Sequence, residues 1–130
     1  MAFIHVPLAN NFRPVERDVV YGMERMVDMS EARFKGATAV LIVADFSSDL
    51  DTPIEFAGVG NTLPTPNQGV VQIGQAQIST PGTWKRLTCS VSIPQNPFPY
   101  YGAILTTKSP PGAPSRGAVH VHAEVFVPNA

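Results

Sequence analysis

The sequence predicts an all-β protein, a single antiparallel sandwich of two sheets with jelly-roll-like topology. Short runs of alternating apolar and polar residues recur along the chain, about eight of them at the spacing of a sandwich. The chain also contains 13 prolines and 10 glycines among its 130 residues, as expected of many short strands joined by turns. No internal repeat of roughly 20–50 residues occurs, which excludes a solenoid or a propeller. We therefore expect residues 1–130 to fold as one domain.

The chain begins with a predicted strand at residues 2–8, closed by Pro7 and the polar pair Asn10-Asn11. Residues 1–14 are either this first strand or an N-terminal arm that reaches a neighbouring molecule. This segment lacks the basic start and long apolar core of a signal peptide. No run approaches about 18 apolar residues, so no transmembrane helix is expected. Both observations favour synthesis in a cytoplasm.

Residues 13–35 carry ten of the 19 charged residues, five of each sign, and allow two interpretations. A strand over 19–29 places most of its apolar residues on one face, with Arg25 as the exception. A helix gives a fair apolar stripe, but Gly22 in its middle costs about 1 kcal/mol. The strand is the favoured interpretation, followed by a turn or a one-turn helix at residues 30–36.

Residues 37–46 form an almost unbroken apolar run, which predicts a central strand. Because one face of an antiparallel sheet is normally wet, the second apolar face of this strand should be covered by another segment or by a neighbouring subunit. A weaker strand follows at 53–59. In the next strand, at 70–79, the apolar side chains change faces at Gly74, which predicts a bulge there.

The clearest strand follows the turn signal Pro81-Gly82 and the single tryptophan, Trp84. From Arg86 to Ile93 the side chains alternate strictly between apolar and polar, with period two, and Pro94 ends the strand. Cys89 points to the apolar face. As the single cysteine of the chain, it is expected to be a small core residue and has no partner for an internal disulfide.

Residues 95–101 read as a proline-aromatic loop, followed by a short strand at 102–107 and a proline-rich turn or exposed loop at 109–117. The latter is a second segment that could reach a neighbour. The last strand, at 118–127, places valines and an alanine on its inward face. Four other residues point outward: His120, His122, Glu124 and Phe126.

The charge composition argues against two classes of partner. Charged residues make up 15% of the chain and the net charge is −1. Basic residues are scattered, and Lys85-Arg86 is the single adjacent pair. Nucleic-acid binding therefore lacks an electrostatic footprint, and no membrane surface is expected as a partner.

The sharpest local pattern is His120-Val121-His122, with Glu124 two residues further on. Alternate positions on a strand place these side chains on one face, where two imidazoles can share a metal ion. His5 on the first strand could complete a His5–His120–His122 site. The alternative is a polar outer face or a subunit contact, and histidines in such a contact would make assembly sensitive to pH.

A second cluster of polar residues could supply oxygen ligands to a calcium ion. It consists of Asp45, Asp49, Asp51 and the nearby Asn61. Their spacing does not match an EF-hand loop, and the alternative role is to stabilise turns. The sequence contains no glycine-flanked serine of the G-x-S-x-G type, no glycine-rich phosphate loop and no pair of cysteines at metal-binding spacing. The sequence therefore predicts no cofactor.

One pattern runs through these strands. Val27-Asp28-Met29-Ser30 precedes Lys35-Gly36-Ala37 and the apolar central strand, and Gly82-Thr83-Trp84-Lys85-Arg86 opens the alternating strand. Over roughly residues 19–127 this arrangement resembles the galactose-binding-like jelly-roll sandwich of carbohydrate-binding modules, of a kind also found in stand-alone virion proteins. The resemblance implies binding or assembly and no chemistry.

Sugar sites in that family use exposed aromatic side chains. The resemblance therefore makes four residues candidates for ligand binding: Trp84, Phe98, Tyr100 and Tyr101. Trp84 has the alternative role of a structural anchor at the start of its strand.

These observations together favour a non-enzymatic structural protein of a virion, such as a bacteriophage capsid decoration protein assembled in the host cytoplasm. Its expected partners are further copies of itself, as a homotrimer, and other capsid proteins. A first alternative is a carbohydrate-binding module or lectin. A second is a small metal-dependent cupin-like enzyme that uses His120 and His122.

Overall fold

The computed structural model describes residues 1–12, 20–50, 53–66, 68–79, 85–107 and 117–129, and of Asn11 and Phe12 the backbone alone. The described chain contains these strands: β1 (Ala2–Phe12), β2 (Val20–Gly22), β3 (Val27–Asp28), β4 (Ala39–Phe46), β5 (Ile54–Asn61), β6 (Val71–Ser79), β7 (Lys85–Ser92), β8 (Tyr100–Thr107) and β9 (Val119–Val127). A single turn of 3-10 helix lies at Ala32–Phe34. Across the described ranges no helix has the length and apolar character needed to span a membrane.

The strands form two antiparallel sheets that pack as a sandwich. The first sheet has the order β1-β9-β4-β7, and the second has the order β2-β8-β5-β6, with β3 also paired to β8. The chain pairs like one long hairpin that is rolled up: β5 pairs with β6, β4 with β7, β2 and β3 with β8, and β1 with β9. The pairs β4·β9 and β5·β8 then join the folded ribbon side by side. This is the strand order of a double-sheet jelly roll, so the predicted fold class is confirmed.

The core lies between the two sheets and follows from the alternation of side chains along each strand. On β9, every second residue from Val119 to Val127 is buried. On the central strand β4, the side chains of Val40 and Ile42 are fully buried in the core. Full burial of an aliphatic side chain of this size contributes about 1.5–3 kcal/mol. The alternation therefore fixes which face of each strand is left outside.

Several predicted elements are found close to their expected bounds. The apolar run becomes β4, inside the first sheet, and the alternating strand becomes β7. The bulge at Gly74 is present: between the pairs Phe56–Gln77 and Gly58–Ile73, β6 advances by four residues while β5 advances by two. Gly74 has a φ of +76°, which a residue without a Cβ adopts at little cost.

The N-terminal segment differs from its prediction. β1 passes through Pro7 and continues to Phe12, in register with β9 apart from two irregular steps. Proline, which has no N–H group to donate, is tolerated because β1 is an edge strand and forms backbone hydrogen bonds to a neighbouring strand on one side only. Val6 and Leu8 are buried in the core. Residues 2–12 are therefore the first strand of the sheet and not an arm.

The segment 13–35 is also only partly as predicted. Residues 13–19 lie outside the described residues. The single strand expected over 19–29 is two short strands, β2 and β3, separated at residues 23–26 where Met23 turns into the core. The one-turn helix expected at 30–36 is found at Ala32–Phe34. Of the predicted loop 109–117, the description covers Gly117 alone.

Candidate functional site

The outward side of the first sheet, which we call the outer face, brings together most of the residues singled out in the sequence. Its side chains line up in rows across β1, β9, β4 and β7. The first row is Phe3, Phe126, Ala39 and Ser92; the second is His5, Glu124, Leu41 and Ser90; the third is Pro7, His122, Val43 and Thr88; the fourth holds His120, Asp45 and Arg86. The outer face is thus apolar at one end and charged at the other.

The apolar end carries a small aromatic cluster, which we call the apolar patch: Phe3, Ala39, Leu41 and Phe126. The side chain of Phe3 is 62% exposed, and its ring lies against that of Phe126 with centroids 4.9 Å apart. The patch lines an open groove of about 230 Å³, to which Ser90 and Glu124 also contribute. Folding leaves this apolar surface in contact with water, although a residue such as phenylalanine gains from burial.

Two of the three histidines meet at the centre of the outer face. The rings of His5 on β1 and His122 on β9 are stacked, with centroids 4.6 Å apart and an angle of 28° between planes. Glu124, the cross-strand partner of His5, has its Oε2 3.8 Å from Nε2 of His122. Burial lowers the pKa of His122, and the nearby His5 lowers it further, against the opposing effect of Glu124. His122 therefore favours its neutral form.

The charged end is organised by an ion pair between neighbouring strands. Nε and Nη2 of Arg86 donate to Oδ1 and Oδ2 of Asp45 at 2.7 and 3.1 Å. This bidentate geometry is the strong form of such a pair, and the hydrogen bond to Asp45 raises the pKa of Arg86. The Asp45 side chain is 11% exposed and that of Arg86 is 60% exposed. Sequence analysis missed this pair; the signal was a single carboxylate in an otherwise apolar strand.

The proposed three-histidine metal site is not assembled. His120 lies one row beyond the stacked pair, and its Nδ1 is 2.8 Å from Oδ1 of Asn10. Side chains two residues apart on a strand are separated by roughly 6–7 Å along it, and His5 stacks on the nearer ring. Across the described ranges, no three His, Cys, Asp or Glu side chains are grouped so as to hold a metal ion.

The predicted calcium ligands have other roles where the structure describes them. Asp45 is held in the ion pair with Arg86. Asp49 accepts a hydrogen bond of 2.6 Å from the hydroxyl group of Ser47 in the same turn. Asn61 is fully buried, and its amide donates at 2.7 Å to two carbonyl groups of the loop that follows it. Asp51 lies outside the described residues. The turn-stabilising role therefore applies to Asp49 and Asn61.

The aromatic residues proposed for ligand binding are not collected on one surface, as far as the structure describes them. Tyr101 is fully buried; its hydroxyl group donates to the carbonyl of Asn96 at 2.5 Å and accepts from the amide of Phe98 at 3.1 Å. Burial raises the pKa of Tyr101. The ring is thus part of the core and cannot stack on a ligand, which corrects its assignment. Phe98 and Tyr100 are half-buried, and Trp84 lies outside the described residues.

No protein-family model matches the chain, and no curated protein matches it in sequence, so the likeness to galactose-binding-like modules remains a prediction. Among solved structures, the chain is similar to the coat protein of Tobacco streak virus, with a TM-score of 0.47 and 8% sequence identity. The similarity covers 99% of this chain and 89% of that chain. The jelly roll is identified by the strand order of the protein itself.

Proposed function

We propose that this protein is a non-enzymatic structural subunit of a virus particle, and that its subunits join through the outer face of the first sheet. Jelly rolls serve as capsid, lectin and cupin domains, so the fold alone leaves several functions open. The observation that supports assembly is the apolar patch, which the fold leaves on the outside of a sheet. Apolar side chains grouped at the surface are a common feature of protein–protein contact sites.

The edges of the sandwich are poorly suited to the alternative mode of assembly, in which strands of two molecules pair. β1 carries Pro7 on its edge, and β6 is interrupted by the bulge at Gly74. On β7, the carbonyl of Thr88 already accepts a hydrogen bond of 2.6 Å from the side chain of Gln77. Proline, bulges and covered edges all prevent pairing between sheets. Contact through the outer face is therefore favoured over contact through an edge.

Charge complementarity favours a second copy of the chain as the partner. Glu124 on β9 and Arg86 on β7 lie on the same face, two strands apart across the sheet, which is roughly 10 Å, and two rows apart along the strands, which is roughly 13 Å. Two copies can therefore bring the carboxylate of one beside the guanidinium group of the other while their apolar patches are covered. A head-to-tail contact that closes after three copies gives the homotrimer, and a two-fold contact gives a dimer.

The placement of the candidate ligands supports assembly over the two alternative functions. A metal-dependent enzyme needs its metal in a shaped cavity that excludes water, whereas His5 and His122 lie on the open outer face. A lectin of the expected type needs exposed aromatic side chains on which a sugar can stack. One of the four candidates, Tyr101, is buried. Within the virion class, a decoration protein bound to a capsid lattice is the more specific form of the proposal.

Sedimentation velocity across micromolar to millimolar concentration tests this proposal. We expect the wild type to self-associate and Phe3→Ala to weaken association about tenfold or more, which is about 1.4 kcal/mol. Ile78→Ala is the matched control, because Ile78 is 51% exposed but lies on β6 of the second sheet. A wild type that stays monomeric, or an Ile78 variant that weakens association more than the Phe3 variant, would overturn the proposal.

A further inference from the structure

We propose that the His5–His122 pair is an acid-sensitive release device, in which protonation of both rings separates copies joined through the outer face. This inference rests on the proposed function, because it concerns the regulation of the same surface. The observation that supports it is the position of the pair: Glu124, the cross-strand partner of His5, also lines the groove of the apolar patch. A partner that covers the patch also removes water from the two rings.

The pair faces few other charges. On β9 its neighbours are Glu124 and His120, on β4 the nearest charged residue is Asp45, and on β7 it is Arg86. Both oxygens of Asp45 are held by Arg86, and His120 contacts Asn10. Asp45 also raises the pKa of His122, but its ion-pair partner Arg86 lowers it, so among the described residues Glu124 is the carboxylate near the pair that has no bound cation beside it. One carboxylate is available for two imidazole rings.

The ratio of one carboxylate to two imidazole rings gives the direction in which protonation changes docking. A first proton on either ring can be balanced by Glu124. A second proton places two positive charges on rings whose centroids are 4.6 Å apart, and removal of water by a partner strengthens their repulsion. Docking then disfavours the doubly protonated pair, and by linkage protons disfavour docking. The lowered pKa of His122 shows the same direction in the isolated chain.

Sedimentation equilibrium at about pH 7.5, 6 and 5, the range in which histidine titrates, tests the proposal on the full chain. We expect the wild-type dissociation constant to rise about tenfold or more towards pH 5, and His122→Gln to remove most of this dependence. His120→Gln is the matched control, on the same strand and face but outside the stack, and should keep the pH dependence of the wild type.

The outcomes separate the two proposals. Association that is equally strong at pH 5 and 7.5, or an equal fall in the wild type and the His122 variant, overturns the release device and leaves assembly standing. A wild type that is monomeric at every pH overturns the proposed function and the device with it. Far-UV circular dichroism at each pH is the check on folding, and release that coincides with loss of the strand signal also overturns the device.

Discussion

The position of β1 in the sheet makes a sharp prediction about two residues of one strand. Leu8 is 1% exposed and Phe3 is 62% exposed. Truncation of a buried leucine to alanine loses transfer free energy and leaves a cavity, at a cost of about 2–5 kcal/mol. Truncation of Phe3 loses a surface contact with Phe126, which is worth about 0.5–1.5 kcal/mol. We therefore expect Leu8→Ala to lower the free energy of unfolding by about 3 kcal/mol and Phe3→Ala by much less.

Urea unfolding followed by circular dichroism measures both free energies of unfolding. The slope of the free energy against urea concentration should be the same in both variants. In self-association the order of the two variants should be reversed, and Phe3→Ala should weaken association more than Leu8→Ala does. If Leu8→Ala costs no more than Phe3→Ala, β1 is not a core strand and the N-terminal segment is an arm after all. Deletion of residues 1–11 should then leave the sandwich folded, whereas a core β1 predicts that it unfolds.

Three further predictions concern other parts of the fold. Tyr101→Phe removes the hydroxyl group that links the Phe98 and Asn96 backbone, and should cost about 1–3 kcal/mol in urea unfolding. Gly60→Ala places a methyl group where the Phe98 ring lies, which should cost about 1–3 kcal/mol, and less in a Phe98→Ala background. Because the pKa of His122 is lowered on folding from about 6.5, the unfolded chain binds the proton more tightly. Stability should therefore fall as pH drops below about 6.5, and an unchanged pH dependence in His122→Gln would contradict this assignment.

The fold was predictable wherever one face of a strand is buried. On β9 the alternation alone assigned His120, His122 and Glu124 to the outside, and the burial pattern confirms it. His5, on the predicted first strand, is also a possible neighbour of β9 in the sequence analysis, and the β1·β9 pairing confirms that the two strands are neighbours. What alternation could not supply is register: it does not say which histidine of β9 lies beside His5.

The errors arise where the pattern of faces is ambiguous. The predicted strand begins at Gly102, which leaves Tyr101 in the predicted loop; the observed strand begins at Tyr100, and its alternation turns Tyr101 into the core. The sequence predicts one strand over 19–29, but Met23 is buried between two short strands that pair with different parts of β8. Long-range pairing decides both cases, and a single sequence does not show it.

The prediction that β4 has a covered second face is met in part by the sheet itself. Val43 points outward yet is 2% exposed, because His122 and Thr88 flank it in register. Leu41, one row nearer the apolar patch, is only half-buried and lines the groove. The second face of β4 is therefore left uncovered at one end of the strand and not at the other. The residual exposure coincides with Phe3 and Phe126, so the proposed contact would cover the apolar patch without any change in the core beneath it.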